Sequence, residues 1–435
     1  MSYMNKVKIE FSEKKLTRNA GLVNVGRFID KLNLPAILSS KISITRGNNA
    51  VYSISDVICM LILGVFSGAK HMAHLTILSS DSVLKKIFNW DRFPDSSTFS
   101  RVFKLFKHDF CHELSEAEDV ARRKVWKKKW FGRVTLDFDS SVDGVYGNQE
   151  GAEVGYNPKK QGQKSYHPLF CFIAETRECL HNWFRAGSAY SANGIVEFAK
   201  ECFERLPKGV WKVFVRGDSA FFYGAFLDFL ESVGALYLIK VKMAGLKQLL
   251  EGMTWKKARY GKGFEITEFW HQCKGWKAPR RFVAVRTLVP IVKQDPLFPG
   301  FIAYEYQYFC YVTNDDSLTP LKAHKKYGQR ATSENWIEWT KNQMSAGSIL
   351  TDHFWANSAI FQTCVLAYNL HIWMMTLVTG KKVNQEPNTI RFWLIFVPGR
   401  LLTGKRQLTL NLQEDWIYKN KWLQVETALE RLEFS

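Results

Sequence analysis

An α/β fold is what this sequence predicts, and three observations predict it. Residues from about 20 to 125 repeat their apolar positions at helical spacing. From Arg133 onward, short alternating or apolar runs take turns with helical ones in the order three strands, helix, strand, helix, strand. With 435 residues and 46% hydrophobic content the chain has ample material for a large core, and its length suggests two or three domains.

The first region, residues 1–125, reads as helical in "VNVGRFIDKLNL" and "ISDVICMLILGVF". In "FPDSSTFSRVFKLFKH", Asp95 and Ser96 are cap candidates ahead of an apolar face at Phe99, Val102, Phe103 and Phe106. Arg101, Lys104 and Lys107 lie opposite. That basic side either contacts DNA in a helix-turn-helix-like bundle or is a solvated helix face. "ARRKVWKKKW", with Trp126 and Trp130, is either a linker along a phosphate backbone or a solvated helix end.

Residues 126–243 carry the strands "RVTLDFDSS", "SYHPLFCFIAE", "CLHNWFRAG", "VWKVFVRGD" and "ALYLIKVKM". The helix "SANGIVEFAKECFERL", with Ser191 or Asn193 as its cap, and the helix "YGAFLDFLESVG" lie between them. Three strands paired as a meander, followed by helical crossovers, set the first and fourth strands side by side. This is the element order of an RNase H-like core. Residues 244–320 read as a β-rich insertion subdomain, and residues 321–378 as the last core helices. Residues 379–435 read as a basic, helical tail.

Sixty Lys and Arg against 41 Asp and Glu give a formal net charge of +19. An excess that large points to a polyanion, nucleic acid above all. The eight cysteines are scattered without a CxxC pair, which argues against a zinc ribbon or a disulfide framework. The start, "MSYMNKVKIEFSEKKLT", has no apolar signal-peptide region. "VICMLILGVFSGA" is too short to span a bilayer, and "TCVLAYNLHIWMMTLV" is interrupted by Asn369 and His371. Both read as buried core helices of a soluble protein with no membrane partner, and the scattered cysteines fit reduced thiols in the cytoplasm.

Chemistry concentrates in three blocks. Asp139 closes the first strand, and Asp137 shares its face. Asp218 closes the fourth strand, after Arg216, which either contacts phosphate or forms a salt bridge. In "YGQRATSENWIEWTK", a continuous helix at about 100° per residue gathers Tyr327, Arg330, Glu334 and Lys341 within an arc of about 60°. Asp139, Asp218 and Glu334 are the candidate catalytic acids. Three converging carboxylates stay ionised together only beside cations, and hard oxygen ligands suit Mg²⁺ or Mn²⁺. Two ions about 4 Å apart perform in-line phosphoryl transfer on a phosphodiester. Tyr327, Arg330 and Lys341 are the candidate DNA-binding residues beside them. Lys159, Lys160 and Lys164 of "GYNPKKQGQK" either touch a DNA backbone or form a solvated hairpin turn. With no GK[ST] the loop implies no nucleotide cofactor. Trp255, Trp270 and Trp276 are candidates for stacking on an unpaired base, or for packing. His167 and His324 are structural or phosphate contacts.

These blocks resemble a bacterial insertion-sequence transposase of the DDE class. "YGQRATSENWIEWTK" fits that family's Tyr-x2-Arg-x3-Glu-x6-Lys signature. "LDFDSS", "YGNQEGAEVGYNPKKQGQKSYHPL" and "VRGDSAFF" look like blocks of the thirteen-eighty insertion-sequence group. The resemblance covers most of residues 130–375 and implies that Asp139, Asp218 and Glu334 hold two Mg²⁺ ions. Asp139-Ser140-Ser141 stands where many relatives have Asp-Ser-Thr or Asp-Gly-Thr. Asp137 and Glu338 remain rival assignments for the first and third acids. The implied activity is cleavage at terminal inverted repeats and joining of the 3′ ends to target DNA, by a homodimer that holds two ends. The alternatives are an RNase H-like nuclease or resolvase without strand transfer, and a silent transposase-derived DNA-binding protein.

Overall fold

The computed structural model describes residues 11, 13–128, 131–157, 160–190, 192–259, 262–294, 299–380, 384–404 and 407–434. Trp130, Lys159, Ser191 and the first ten residues, which figure in the sequence reading, lie outside them. The chain divides into two compact units, Met1–Lys124 with Trp339–Ser435, and Val125–Glu338.

Among the described residues, the main sheet of the unit Val125–Glu338 has nine strands: β1 (Arg133–Ser140), β2 (Leu169–Ile173), β3 (Cys179–Trp183), β4 (Lys212–Gly217), β5 (Leu236–Lys240), β6 (Lys256–Lys257), β7 (Phe264–His271), β8 (Arg280–Gln294) and β9 (Pro299–Thr313). Its helices include α1 (Ile195–Glu204), α2 (Gly224–Ser232), α3 (Pro320–Gly328) and α4 (Ala331–Glu338). All nine strands form one sheet in the order β6-β7-β8-β9-β5-β4-β1-β2-β3. β1 pairs antiparallel with β2 and parallel with β4, and β4 is parallel to β5. The β-rich insertion is therefore not a separate sheet. Its strands extend the central one, because β9 pairs antiparallel with β5 through Tyr311↔Lys240, Val312↔Ile239 and Thr313↔Leu238.

Alternation along β1 sorts side chains to two faces. Val134, Leu136 and Phe138 join Val215 and residues of α1 and α2 in the main core. Phe138 meets Phe198 at 5.9 Å and Phe226 at 5.5 Å. Asp137 and Asp139 take the other face, in register with Phe172 and Phe170 of β2. On that face Phe214, Leu238, Val283 and Tyr311 gather with Ala323 of α3, and Trp336 of α4 packs on Phe172 at 5.7 Å. The N-cap of α1 is Gly194, in the left-handed region with no side-chain cap, rather than Asn193. A Cβ at Gly194 would stand 2.8 Å from the Trp183 ring, so the close approach favours glycine.

Beyond Asp139 a small second sheet continues the chain, with Lys164–Tyr166 between Asp143–Gly144 and Glu153–Val154.

In the other unit, helices Leu22–Leu32, Leu34–Lys41, Ile54–Phe66, Ser96–Phe103 and Phe354–Thr379 dominate. Asp95 caps Ser96–Phe103 by accepting from the Thr98 amide. Phe99, Val102 and Phe103 are buried, and Arg101 and Lys104 are exposed. One helix among the described residues, Phe354–Thr379, is long and apolar enough to cross a membrane, and 89% of its most apolar stretch is buried. It packs on Ile54–Phe66, Ser96–Phe103 and Lys419–Arg431.

The tail differs from the helical expectation. Gly399–Thr403 and Leu408–Leu412 form a hairpin that pairs with Leu16–Thr17 before the helix Lys419–Arg431. Pro398 and Gly399 end the preceding helical run, and Leu408, Leu410 and Leu412 alternate with polar residues at strand period.

Candidate functional site

The parallel pairing of β1 with β4 sets Phe138 opposite Gly217. The next residue on each strand is an acid, so Asp139 and Asp218 leave adjacent strand ends together. Asp139 is 7% exposed and Asp218 half-buried. Asp139 Oδ1 accepts from the Ser140 amide at 2.9 Å. Asp218 Oδ1 accepts from the Ala220 amide at 2.9 Å and caps a short turn, Ser219–Phe221.

Glu334 is exposed on the first turn of α4. Burial pushes the Asp139 carboxyl up to about 6. The Arg330 guanidinium opposes this rise, and the charges of Asp218 and Glu334 add to it. Asp218 and Glu334 thus each lie within electrostatic reach of Asp139.

Two arginines answer the acids of β1 in layers. In the inner layer Arg216 donates through Nε and Nη2 to both oxygens of Asp137, at 2.6 and 2.7 Å. Both side chains are almost fully buried. In the outer layer Arg330 Nη2 meets Asp139 Oδ2 at 2.7 Å and the Phe138 carbonyl at 3.3 Å. Arg330 Nε is buried without a hydrogen-bond partner among the described residues.

Tyr327 is half-buried, its ring 4.7 Å from Tyr311, and burial pushes its hydroxyl up to about 12. His167 is buried beside the small sheet. Its Nδ1 meets the Ala189 carbonyl, and burial and then Arg185 pull its pKa down. The charge of Asp218 reaches it as well.

The continuous helix assumed for Tyr327, Arg330, Glu334 and Lys341 is not there. Helix α3 ends at Gly328, and Arg330 closes a tight turn to the Tyr327 carbonyl at 2.8 Å before α4 begins. Glycine supports helix poorly, so the chain breaks at this point. Lys341 follows on a π-helical turn, Trp339–Gln343, outside the unit that carries the acids. The single stripe is thus replaced by a bent helix pair, and Arg330 is turned inward onto Asp139.

Lys160 and Lys164 are exposed, donating to the Tyr146 hydroxyl at 2.8 Å and to Asn148 Oδ1 at 2.9 Å. Lys104 pairs with Asp352 at 2.9 Å, and Arg101 donates to Thr98 at 3.0 Å. Trp255 and Trp276 are packing residues, each against an arginine and neighbouring aromatics, whereas Trp270 is 67% exposed. His324 accepts or donates at the Tyr311 hydroxyl, 2.9 Å away.

The donor set suits a hard divalent cation, being all carboxylate oxygen. Among the described residues no three His, Cys, Asp or Glu side chains stand in ready ligand geometry. Arg330 sits on the outer oxygen of Asp139, and a cation bound there would share that carboxylate with it. Sequence reasoning missed this pairing and the His167–Arg185 cluster. The signal for the inner pair was present, since Asp137 and Arg216 each lie two residues before an acid.

A family model described as "Transposase DDE domain group 1" matches residues 2–434. The chain belongs to that family of DDE transposases, the class its sequence blocks resemble. No curated protein matches it by sequence. Among solved structures it is similar to a cryo-EM structure of the piggyBac transposase synaptic complex with hairpin DNA, at a TM-score of 0.43 and 14% identity. That match covers 87% of this chain and 81% of the other.

Proposed function

We propose that this chain is a cut-and-paste insertion-sequence transposase of the thirteen-eighty group, with an RNase H-like core. It cleaves DNA at terminal inverted repeats and joins the 3′ ends to a target. The observation that carries the reading is the exit of Asp139 and Asp218 from adjacent parallel strands, with the charge of Glu334 felt at Asp139.

Asp139, Asp218 and Glu334 would hold two Mg²⁺ ions, with Mn²⁺ as a substitute. Bound there, the pair supplies Lewis acidity that activates a water or 3′-hydroxyl and stabilises the leaving oxygen. Asp137 is a poorer ligand candidate than Asp139 because Arg216 takes both of its oxygens. Arg330 balances part of the negative charge, and its unpartnered Nε suits an acceptor such as a phosphate oxygen. Tyr327, Lys341, Lys160, Lys164, Arg101 and Lys104 bind DNA backbone in this reading, and the net charge of +19 supports a polyanionic partner. The working assembly is a homodimer, because two ends are cut together.

The test is cleavage and joining of DNA that carries the element's inverted repeats, in Mg²⁺. Asp218→Ala is expected to lower cleavage by on the order of a thousandfold or more, with DNA binding retained. Undiminished cleavage by that variant rejects the assignment. Cleavage with no joined product in a target plasmid identifies a nuclease instead.

A further inference from the structure

We propose that Arg216, held by Asp137, is a positioning residue that fastens the end of α3, broken at Gly328, to the sheet and so delivers Arg330 and Glu334 to the acids there. The inference rests on the reading above and adds a residue pair to it.

A guanidinium presents its donors in a fixed planar fork. Nε and Nη2 of Arg216 are spent on the two Asp137 oxygens, at 2.6 and 2.7 Å. This fixes the plane of the group and aims Nη1 outward, where it donates to the Lys326 carbonyl at 2.9 Å. Lys326 lies in the last turn of α3, which ends at Gly328. Carbonyls in a last turn have no partner within their own helix, and that end of the helix dipole favours a positive charge. Arg216 thus caps α3 from the sheet below.

Chain spacing carries the effect to the site. Tyr327 follows the capped carbonyl directly, and the Arg330 amide bonds back to the Tyr327 carbonyl at 2.8 Å. Helix α4 begins at the next residue, with Glu334 in its first turn. On the strand side, Arg216 and Asp137 each stand two residues before an acid on the same face, so one rigid layer supports both Asp139 and Asp218. Trp336 against Phe172 pins the far part of α4 at 5.7 Å. The bend between α3 and α4 therefore has two anchors, and the Arg216 fork is the polar one. A buried ion pair is weak as a source of net stability, but it specifies geometry when every donor is matched.

The experiment uses full-length Arg216→Lys and Asp137→Asn, with three readouts. Lysine keeps the charge and loses the fork, and asparagine keeps the shape and loses one acceptor. Amide hydrogen exchange is expected to quicken about tenfold or more over residues 327–334, while the β4–β5 ladder keeps its protection. Half-saturating Mn²⁺ is expected to rise about tenfold, and cleavage of inverted-repeat DNA to fall about a hundredfold. Metal-free DNA affinity stays within about twofold. Unchanged exchange over residues 327–334 overturns the proposal. So does a uniform rise through the whole sheet, or failure of both variants to fold, since either assigns the pair to core stability alone. An inactive Asp218→Ala beside a fully active Arg216→Lys rejects this inference only. An active Asp218→Ala rejects the catalytic reading, and the exchange data still decide whether Arg216 positions the bend.

Discussion

The two faces of the β1–β4 strand pair are made by the same few residues and do opposite things. On one face Leu136, Phe138 and Val215 disappear into the aromatic and aliphatic core under α1 and α2. On the other, Asp137, Asp139, Arg216 and Asp218 replace them, beside an apolar cluster that includes Phe214, Leu238, Val283, Tyr311, Leu318 and Ala323. One face obtains stability from buried apolar area. The other buries charge, which costs free energy unless each group is paired. It is tolerated because the first face is so well filled, and because two arginines answer two of the acids.

That contrast can be broken from either side. Phe138→Ala opens a cavity among Phe198, Phe221 and Phe226. It is expected to cost about 3–5 kcal/mol of stability. Denaturant unfolding measures this loss, and the surviving folded fraction should bind Mn²⁺ normally. A loss below about 1 kcal/mol would mean that the apolar face is not the main source of stability.

Arg330→Gln attacks the charged face. It leaves the Asp139 carboxylate buried without its cation, a change that typically costs about 3 kcal/mol. Here the deficit should be recoverable, because a divalent ion that binds only the folded state stabilises it. Thermal unfolding of the variant is expected to move down in chelator and to recover in Mn²⁺ by more than the wild type does. Equal Mn²⁺ shifts in the two proteins would show that Arg330 does not balance the metal-binding acids.

The smallest effect is in pH. Burial holds the Asp139 pKa at about 6, above its ordinary value of 3.8. Between those values the folded protein keeps a proton that the unfolded chain has released. Asp139 therefore favours the fold at low pH, and that contribution is lost as pH rises through about 6. A metal competes with the same proton, so Mn²⁺ affinity should fall below about pH 6, by no more than about tenfold per pH unit for one proton. Calorimetric titration at several pH values measures the slope. A flat profile from pH 5 to pH 7 would remove Asp139 from the ligand set.

Much of this contrast was legible in the letters. "LDFD" and "VRGD" alternate with period two, which is enough to send the charged and apolar side chains of each strand to opposite faces. Strand order then follows from short connections and crossover helices. Three features were hidden, each for a physical reason. The inward turn of Arg330 depends on a helix break at Gly328 that outweighs the 3.6-residue period assumed through Lys341. The insertion extends the central sheet through three β9–β5 pairs, a long-range pairing that no local pattern encodes. The hairpin in the tail is written in "LTLNL", yet the apolar run before it reads as helix and masks the change of period.

The most direct test of the central claim is anomalous diffraction from crystals of the full-length protein soaked in Mn²⁺. The account predicts scattering peaks about 2.0–2.2 Å from carboxylate oxygens of Asp139, Asp218 and Glu334. A protein that cleaves inverted-repeat DNA but binds its Mn²⁺ away from those three carboxylates would contradict it.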